Sequence, residues 1–232
     1  LLSAIFVLAI VSPFTAQRYD DFGVSIGGSN YLGDIGGDEK TRRDFIWDMK
    51  LEQTSVAFGA FYRKQVTNDV GVKISANYGR IKGDDALSSN PGRRGRNLNF
   101  RNDLIEVAAR GEYYFYEDYD VGGYGRFLVQ FKPYIFGGIG AVYTNPKAEL
   151  DGEWHALRPL MTEGRKYGPV TFTMPAGAGF FFTFQKKYRV GWELGYRHTF
   201  TDYLDDVSTV YAATESFDTE IAEQLSNRRP EL

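Results

Sequence analysis

The sequence predicts an all-β fold, an antiparallel up-and-down transmembrane β-barrel, and three observations carry that prediction. Apolar and polar residues alternate with period two over most of the chain, which marks strands with unlike faces. Most alternating stretches run about ten residues, the length a tilted strand needs to cross a bilayer. The connections between them alternate long and short, as they do where one end of a barrel carries tight turns and the other carries loops. A soluble sandwich also alternates, but its strands average about five or six residues. A lipocalin-like barrel would turn the apolar set inward around a ligand, leaving the small and charged set outside.

The first element is a continuous apolar run from Leu1 to Val11, followed by Ser12-Pro13-Phe14-Thr15-Ala16-Gln17. It is too short to span a bilayer and reads as the apolar region of a secretory signal, with cleavage expected after Ala16 although Phe14 is bulky for its place. The alternative for this run is a buried N-terminal strand. The domain reading is therefore a signal peptide over 1–16 and an outer-membrane barrel over 17–232.

Strands follow at about Phe22–Tyr31, then in the clearest stretch, from Thr54 to Lys82. There Val56, Phe58, Ala60 and Tyr62 oppose Ser55, Ala57, Gly59, Phe61 and Arg63, and Thr67-Asn68-Asp69 turns the chain. Val70, Val72, Ile74, Ala76 and Tyr78 continue the apolar face against Gly71, Lys73, Ser75, Asn77 and Gly79. Ile105, Val107, Ala109, Tyr113 and Phe115 repeat the pattern against Glu106, Ala108, Arg110, Glu112 and Tyr114. A Gly-rich strand spans Phe131 to Tyr143. Phe172 to Phe182 and Val190 to Tyr196 alternate again, the latter setting Glu193 and Arg197 on the polar face. After Tyr31 the connections are Gly33–Leu51, Thr67–Asp69, Gly83–Leu98, Glu117–Gln130, Thr144–Pro169 and Gln185–Lys187. The first long one follows the first strand, where the external side must lie.

These segments make seven strands, and a bacterial single-chain barrel needs an even number. Eight are expected, with seven present, so the chain reads as truncated with its closing strand beyond Leu232. Residues 202–232 are then an external loop, in which Ser216 to Leu225 suits a short helix.

Composition excludes several functions. The net charge is -3 and there is no cysteine, so phosphate-tracking nucleic-acid binding and thiolate chemistry both lack their residues. His155 and His198 are the only histidines, too few and too far apart for a zinc site. The 26 Gly, 18 Phe and 16 Tyr suit a barrel wall with aromatic girdles. No catalytic residues, metal or cofactor are assigned, and the chain is read as no enzyme. His198 with Asp202, Asp205, Asp206 and Ser208 is a weak hydrolytic set, and the aspartates suit a solvated loop better than a calcium site. Gly137-Gly138-Ile139-Gly140 is followed by no helix, so it is no dinucleotide loop. Arg93, Arg94 and Arg96 sit in an external loop, where they suit plain solubility at least as well as contact with lipopolysaccharide phosphates.

One constellation is expected to matter. Lys73, Glu106, Arg110, Glu112, Glu193 and Arg197 all fall on the lumen side. An eight-stranded barrel is barely wide enough for its own side chains, so these opposite charges form a network that holds the wall together. Tyr119, Tyr124, Phe127 and Leu128 lie in a connection long for a periplasmic turn and form a candidate partner-binding surface.

Four segments carry a resemblance. They are Gly27-Gly28-Ser29-Asn30-Tyr31-Leu32-Gly33-Asp34, Ala76-Asn77-Tyr78-Gly79-Arg80-Ile81-Lys82-Gly83-Asp84, Gly137-Gly138-Ile139-Gly140 with Asn145-Pro146-Lys147-Ala148, and Thr201-Asp202-Tyr203-Leu204-Asp205-Asp206-Val207-Ser208. In residues and order they resemble a family of Bacteroidota outer-membrane β-barrels that includes PorG of the type IX secretion system. The resemblance implies a Gram-negative outer-membrane location after export and contact with membrane lipid and lipopolysaccharide. It also implies periplasmic partners similar to the ring proteins PorK and PorN, which such a barrel would anchor while cargo leaves through a separate translocon. The alternative function is a stand-alone surface barrel that works through its external loops in adhesion or lipid interaction.

Overall fold

The computed structural model describes residues 2–10, 20–32, 35, 53–87, 91–121, 129–162, 166–185, 187–201, 203–206, 217 and 219–229. Among these residues are ten strands: β1 Leu2–Ile10, β2 Asp20–Leu32, β3 Ser55–Gln65, β4 Val70–Asp84, β5 Asn99–Tyr114, β6 Val129–Tyr143, β7 Pro146–Leu150, β8 Glu153–Ala156, β9 Val170–Phe184 and β10 Tyr188–Thr199. The described residues also hold the short helices α1 Pro91–Arg94, α2 Leu157–Leu160 and, after β10, α3 Glu220–Ser226.

Eight strands form a ring in the order β4-β3-β2-β1-β10-β9-β6-β5, and β5 pairs back onto β4, so the sheet closes. Every pairing is antiparallel and nearly all join neighbours in sequence. This is an up-and-down barrel. Seven of its strands are the seven read from alternation. The eighth place, between β2 and β10, is held by Leu2–Ile10, whose backbone pairs with Val24–Leu32 on one side and Val190–Tyr196 on the other. Without a strand there, β2 and β10 would each present a row of unpaired peptide groups.

The wall has the polarity of a transmembrane barrel. Val56, Phe58, Val72, Ile74, Val107, Trp192 and Leu194 all face outward, with 41 to 63% of their surface exposed. Lys73, Glu106, Arg110, Glu112, Glu193 and Arg197 face inward and are buried. Aromatic residues gather toward the short-turn end of the outer face. There Phe131 lies 5.0 Å from Phe182 and Phe180 lies 5.4 Å from Trp192, with Phe22 on Tyr62 at 4.8 Å. Toward the other end Phe58 stacks on Tyr78 at 4.8 Å. The glycines of β6 let the ring close tightly: a Cβ at Gly138 would lie 2.2 Å from the Ala109 carbonyl oxygen.

The two ends differ as the loop lengths predict, but the long-loop end is more ordered than a reading of loops suggests. β4 runs to Asp84, two residues into the expected Gly83–Leu98 loop, and β5 begins at Asn99, just at that loop's expected end. Within the expected Thr144–Pro169 loop, residues 146–160 fold as the β7–β8 hairpin followed by α2. Tyr31, Ile35, Ile81, Leu98, Phe100 and Leu204 make one small core there. Ala148, Leu150, Leu157 and Leu225 make another, which seats α3 on the hairpin. The expected helix is real but shorter, Glu220–Ser226, capped by Thr219 on the Ala222 N–H.

A plugged lumen as the candidate functional site

Inside the barrel, alternation places one charged row across three neighbouring strands. Register sets Arg63 of β3 beside Lys73 of β4, and Lys73 beside Arg110 of β5. Three adjacent cations would repel one another in a low-dielectric interior. Glu193 answers them from β10, on the opposite side of the ring. Its carboxylate accepts from Lys73 Nζ at 2.8 Å, from Arg110 Nη1 at 2.6 Å and from Tyr134 Oη at 3.0 Å. Glu112 takes the third cation: Arg63 Nη2 donates to it at 3.0 Å, and Tyr114 Oη donates at 2.7 Å. Glu193 is thus a strut across the lumen.

A second layer lies toward the long-loop end. Arg197 Nε lies 3.1 and 2.9 Å from the two oxygens of Glu106, which also accepts from Thr173 and Asn77, each at 3.2 Å. A third lies toward the short turns, where Lys132 Nζ pairs with Glu117 at 3.2 Å and Arg189 pairs with Asp21. All six of the sequence-predicted lumen residues meet in the first two layers.

The six charges are not the whole filling. The lumen is packed with aromatic rings as well as charges: Tyr114, Tyr134, Phe136 and Phe181 form one buried cluster. Lys73 Nζ sits 4.2 Å from the Phe61 ring centroid, Arg110 lies 4.4 Å from Phe136, and Arg63 lies 5.0 Å from Phe181. Cation–π contact of this kind is worth about 2 kcal/mol once desolvated. Arg63 and Tyr114 stand at inward positions of the alternation, and Tyr134 follows from the parity of Ile135, so the signal was present for all three. Which ring meets which cation depends on stagger, which the sequence does not display.

Toward the long-loop mouth the described residues are packed as well. Leu204 is fully buried and its carbonyl accepts from Asn102 Nδ2 at 2.8 Å. Asp205 and Asp206 are buried, which corrects their reading as a solvated loop. Asp206 accepts from Thr162 and Tyr167, and burial together with that carboxylate holds the Tyr167 hydroxyl's pKa well above its usual value. Asp202 lies outside the described residues, and no metal-binding group of three acidic or histidine side chains occurs among those described. His198 faces outward, against Phe200 at 5.0 Å. Arg96 is bound to Asp85 at 2.7 Å and Arg94 is exposed.

At the short-turn end the β5–β6 hairpin projects past its neighbour, whose turn closes at Asp69. Between the pairs Tyr114–Tyr134 and Asp118–Phe131 the register slips by one residue. This makes a bulge opposite Pro133, which has no N–H to pair. Phe115, Tyr116 and Tyr119 are exposed on this hairpin. Tyr124, Phe127 and Leu128, the rest of the candidate partner surface, lie outside the described residues.

An apolar exterior, a closed ring and a lumen lined by paired charges define a transmembrane β-barrel. The chain belongs to the family described as a domain of unknown function, DUF6089, whose model matches residues 1–219. No curated protein matches it. Among solved structures it is similar to Ail, the attachment invasion locus protein of Yersinia pestis. The complex of Ail with the heparin analogue sucrose octasulfate shares 14% identity, covering 86% of this chain and 96% of that one, with a TM-score of 0.27. Ail alone gives 12% identity, the same coverage and a TM-score of 0.26. The superposition is loose, and what Ail binds is a property of Ail.

Proposed function

We propose that the protein is a non-enzymatic outer-membrane β-barrel that serves as an anchor and not as a channel. The observation that carries this is the interior: Glu193 ties Lys73, Arg110 and Tyr134 together across the lumen, and ion pairs occupy the layers on either side. Paired charges in so narrow a barrel leave no continuous water path. In planar-bilayer recording the inserted protein is expected to give no stable, porin-sized conductance. Large single-channel steps that survive repeated reconstitution would overturn the anchor reading.

The finer reading is that the anchor serves a type IX-like secretion complex through its periplasmic face. Support comes from the four segments that resemble the PorG-containing family and from the projecting β5–β6 hairpin with exposed Phe115, Tyr116 and Tyr119. Partners similar to PorK and PorN would dock there. Replacing Asp118 to Arg126 by a short Gly-Asn turn is expected to leave an inserted barrel that shifts on gels when heated. The same change is expected to abolish recovery of the ring proteins and secretion. Wild-type secretion by that variant would place the contact elsewhere.

The second reading, adhesion or lipid interaction at the cell surface, is favoured by the two small cores that give the long-loop end a fixed shape. Export itself rests on Leu1 to Val11. In the mature protein, leader and wall strand are exclusive uses of this segment. Cleavage after Ala16 would leave a seam between β2 and β10 for another strand to fill.

A further inference from the structure

The outer face changes character just beyond the apolar belt on β4, β5 and β7. Register sets Tyr78 beside Ile105, then Arg80 beside Asp103, then Lys82 beside Arg101, and Arg101 beside Lys147. All of these positions share the outward parity of Ile74 and Val107. The Arg80 rung is internally paired: its Nε donates to Asp103 at 2.6 Å, and Tyr78 Oη donates to the same oxygen at 2.6 Å.

The next rung is different. Lys82, Arg101 and Lys147 stand on three consecutive strands, roughly 5 Å from one to the next, and none makes an ion pair among the described residues. The Arg101 guanidinium lies 4.0 Å from the Trp154 ring centroid, while its Nε is buried with no hydrogen-bond partner. Asp84 and Glu149 occupy the rung above and form no ion pair with these cations. Like charges side by side on a sheet face are unfavourable unless an anion lies over them.

We propose that Lys82, Arg101 and Lys147, with Trp154 beside them, bind the phosphate of a lipid headgroup in the outer leaflet. The proposal rests on the membrane reading above. Two facts select a lipid over a free phosphate. The row lies on the same face as the belt, two rungs past its aromatic edge at Tyr78, which is headgroup depth. A tryptophan backed by arginine is also the kind of side chain that settles at a membrane interface. Arginine and lysine on adjacent strands then give one phosphate several charge-assisted donors.

The test uses the full chain folded in detergent micelles and native mass spectrometry. The probes are diphosphorylated lipid A, the same lipid stripped of its phosphates, and inorganic phosphate. The wild-type barrel is expected to retain the diphosphorylated lipid about tenfold better than the stripped one, a ratio typical of one lost charge-assisted contact or more. The K82Q/R101Q/K147Q variant is expected to lose that preference, K82R/K147R to keep it, and K187Q at the opposite end to behave as wild type. Equal retention of both lipids by the wild type, or unchanged preference in the triple variant, overturns the proposal. Displacement of lipid A by millimolar inorganic phosphate assigns the row to free phosphate and overturns it too. Should the triple variant not fold, the comparison of the two lipids on the wild type still decides. A wild-type chain that never gives a heat-modifiable folded band counts against the membrane reading instead.

Discussion

Glu193→Gln is expected to destabilise the barrel by about 3–5 kcal/mol, the cost of removing one partner from a buried ion pair and leaving the other charged. Two cations are stranded here, since Lys73 and Arg110 both close on Glu193 at 2.8 and 2.6 Å, with side chains at most 8% exposed. The amide keeps the shape and still accepts one hydrogen bond, so the loss is charge and not volume. The measurement is the urea midpoint for unfolding from micelles or vesicles, with the slope unchanged. Adding Lys73→Met to Glu193→Gln is expected to recover part of the loss, because a hydrophobic side chain of similar length removes one stranded cation. Lys64→Ala sets the scale of a surface pair: it faces Asp20 at 3.8 Å with its side chain 58% exposed, and its removal is expected to cost about 0.5 kcal/mol or less. A Glu193→Gln midpoint close to that of Lys64→Ala would mean the lumen is wet and its charges screened.

The strut also explains why the lumen tolerates so many charges. Arg63, Lys73 and Arg110 stand in one row, an arrangement that pairwise charge rules disfavour. Their carboxylate partners come from β10 and from one rung lower on β5. The network therefore joins strands that share no backbone hydrogen bonds and fixes the ring's diameter as well as its register. Gly138 and Gly179 on β6 and β9 leave the space this needs: a Cβ at Gly179 would come 2.8 Å from the Tyr134 ring.

How much of this was legible follows from the physics of each feature. Period two is local, so the outward and inward sets of β3, β4, β5, β9 and β10 could be read residue by residue, and the six lumen charges with them. Register around a closed ring is not local. Nothing in the sequence says that Glu193 rather than Glu106 meets Lys73, since that depends on the shear of the whole barrel. The rung of Lys82, Arg101 and Lys147 was hidden for a second reason. It lies past the point where alternation of apolar residues stops, and Lys147 falls in the stretch Thr144–Pro169 that reads as loop. The two cores at the long-loop end draw single residues from segments as distant as Tyr31 and Leu204, and no periodicity marks them. Leu2–Ile10 shows the opposite difficulty. A uniformly apolar run carries no face information, and export signal and wall strand ask for the same composition.

The membrane reading itself meets its sharpest test at the middle of the outer wall. Ile74 lies halfway along the apolar face of β4, between Val70 and Tyr78, and is 51% exposed. In water, an exposed isoleucine on a strand is a liability, and Ile74→Arg would change stability by no more than about 0.5 kcal/mol. In a bilayer the same position faces hydrocarbon, where an arginine at the midplane of a barrel costs about 2–4 kcal/mol. The two environments thus predict different outcomes from one substitution. Val66→Arg is the control: Val66 is 59% exposed but begins the short turn to Asp69, beyond the strand, where the penalty falls to about 0–1 kcal/mol. Refolding into vesicles followed by urea titration is expected to show a large loss for Ile74→Arg and almost none for Val66→Arg. Near-equal midpoints for the two variants would place the apolar wall in water, and a soluble barrel with an unexplained greasy exterior would be the remaining account.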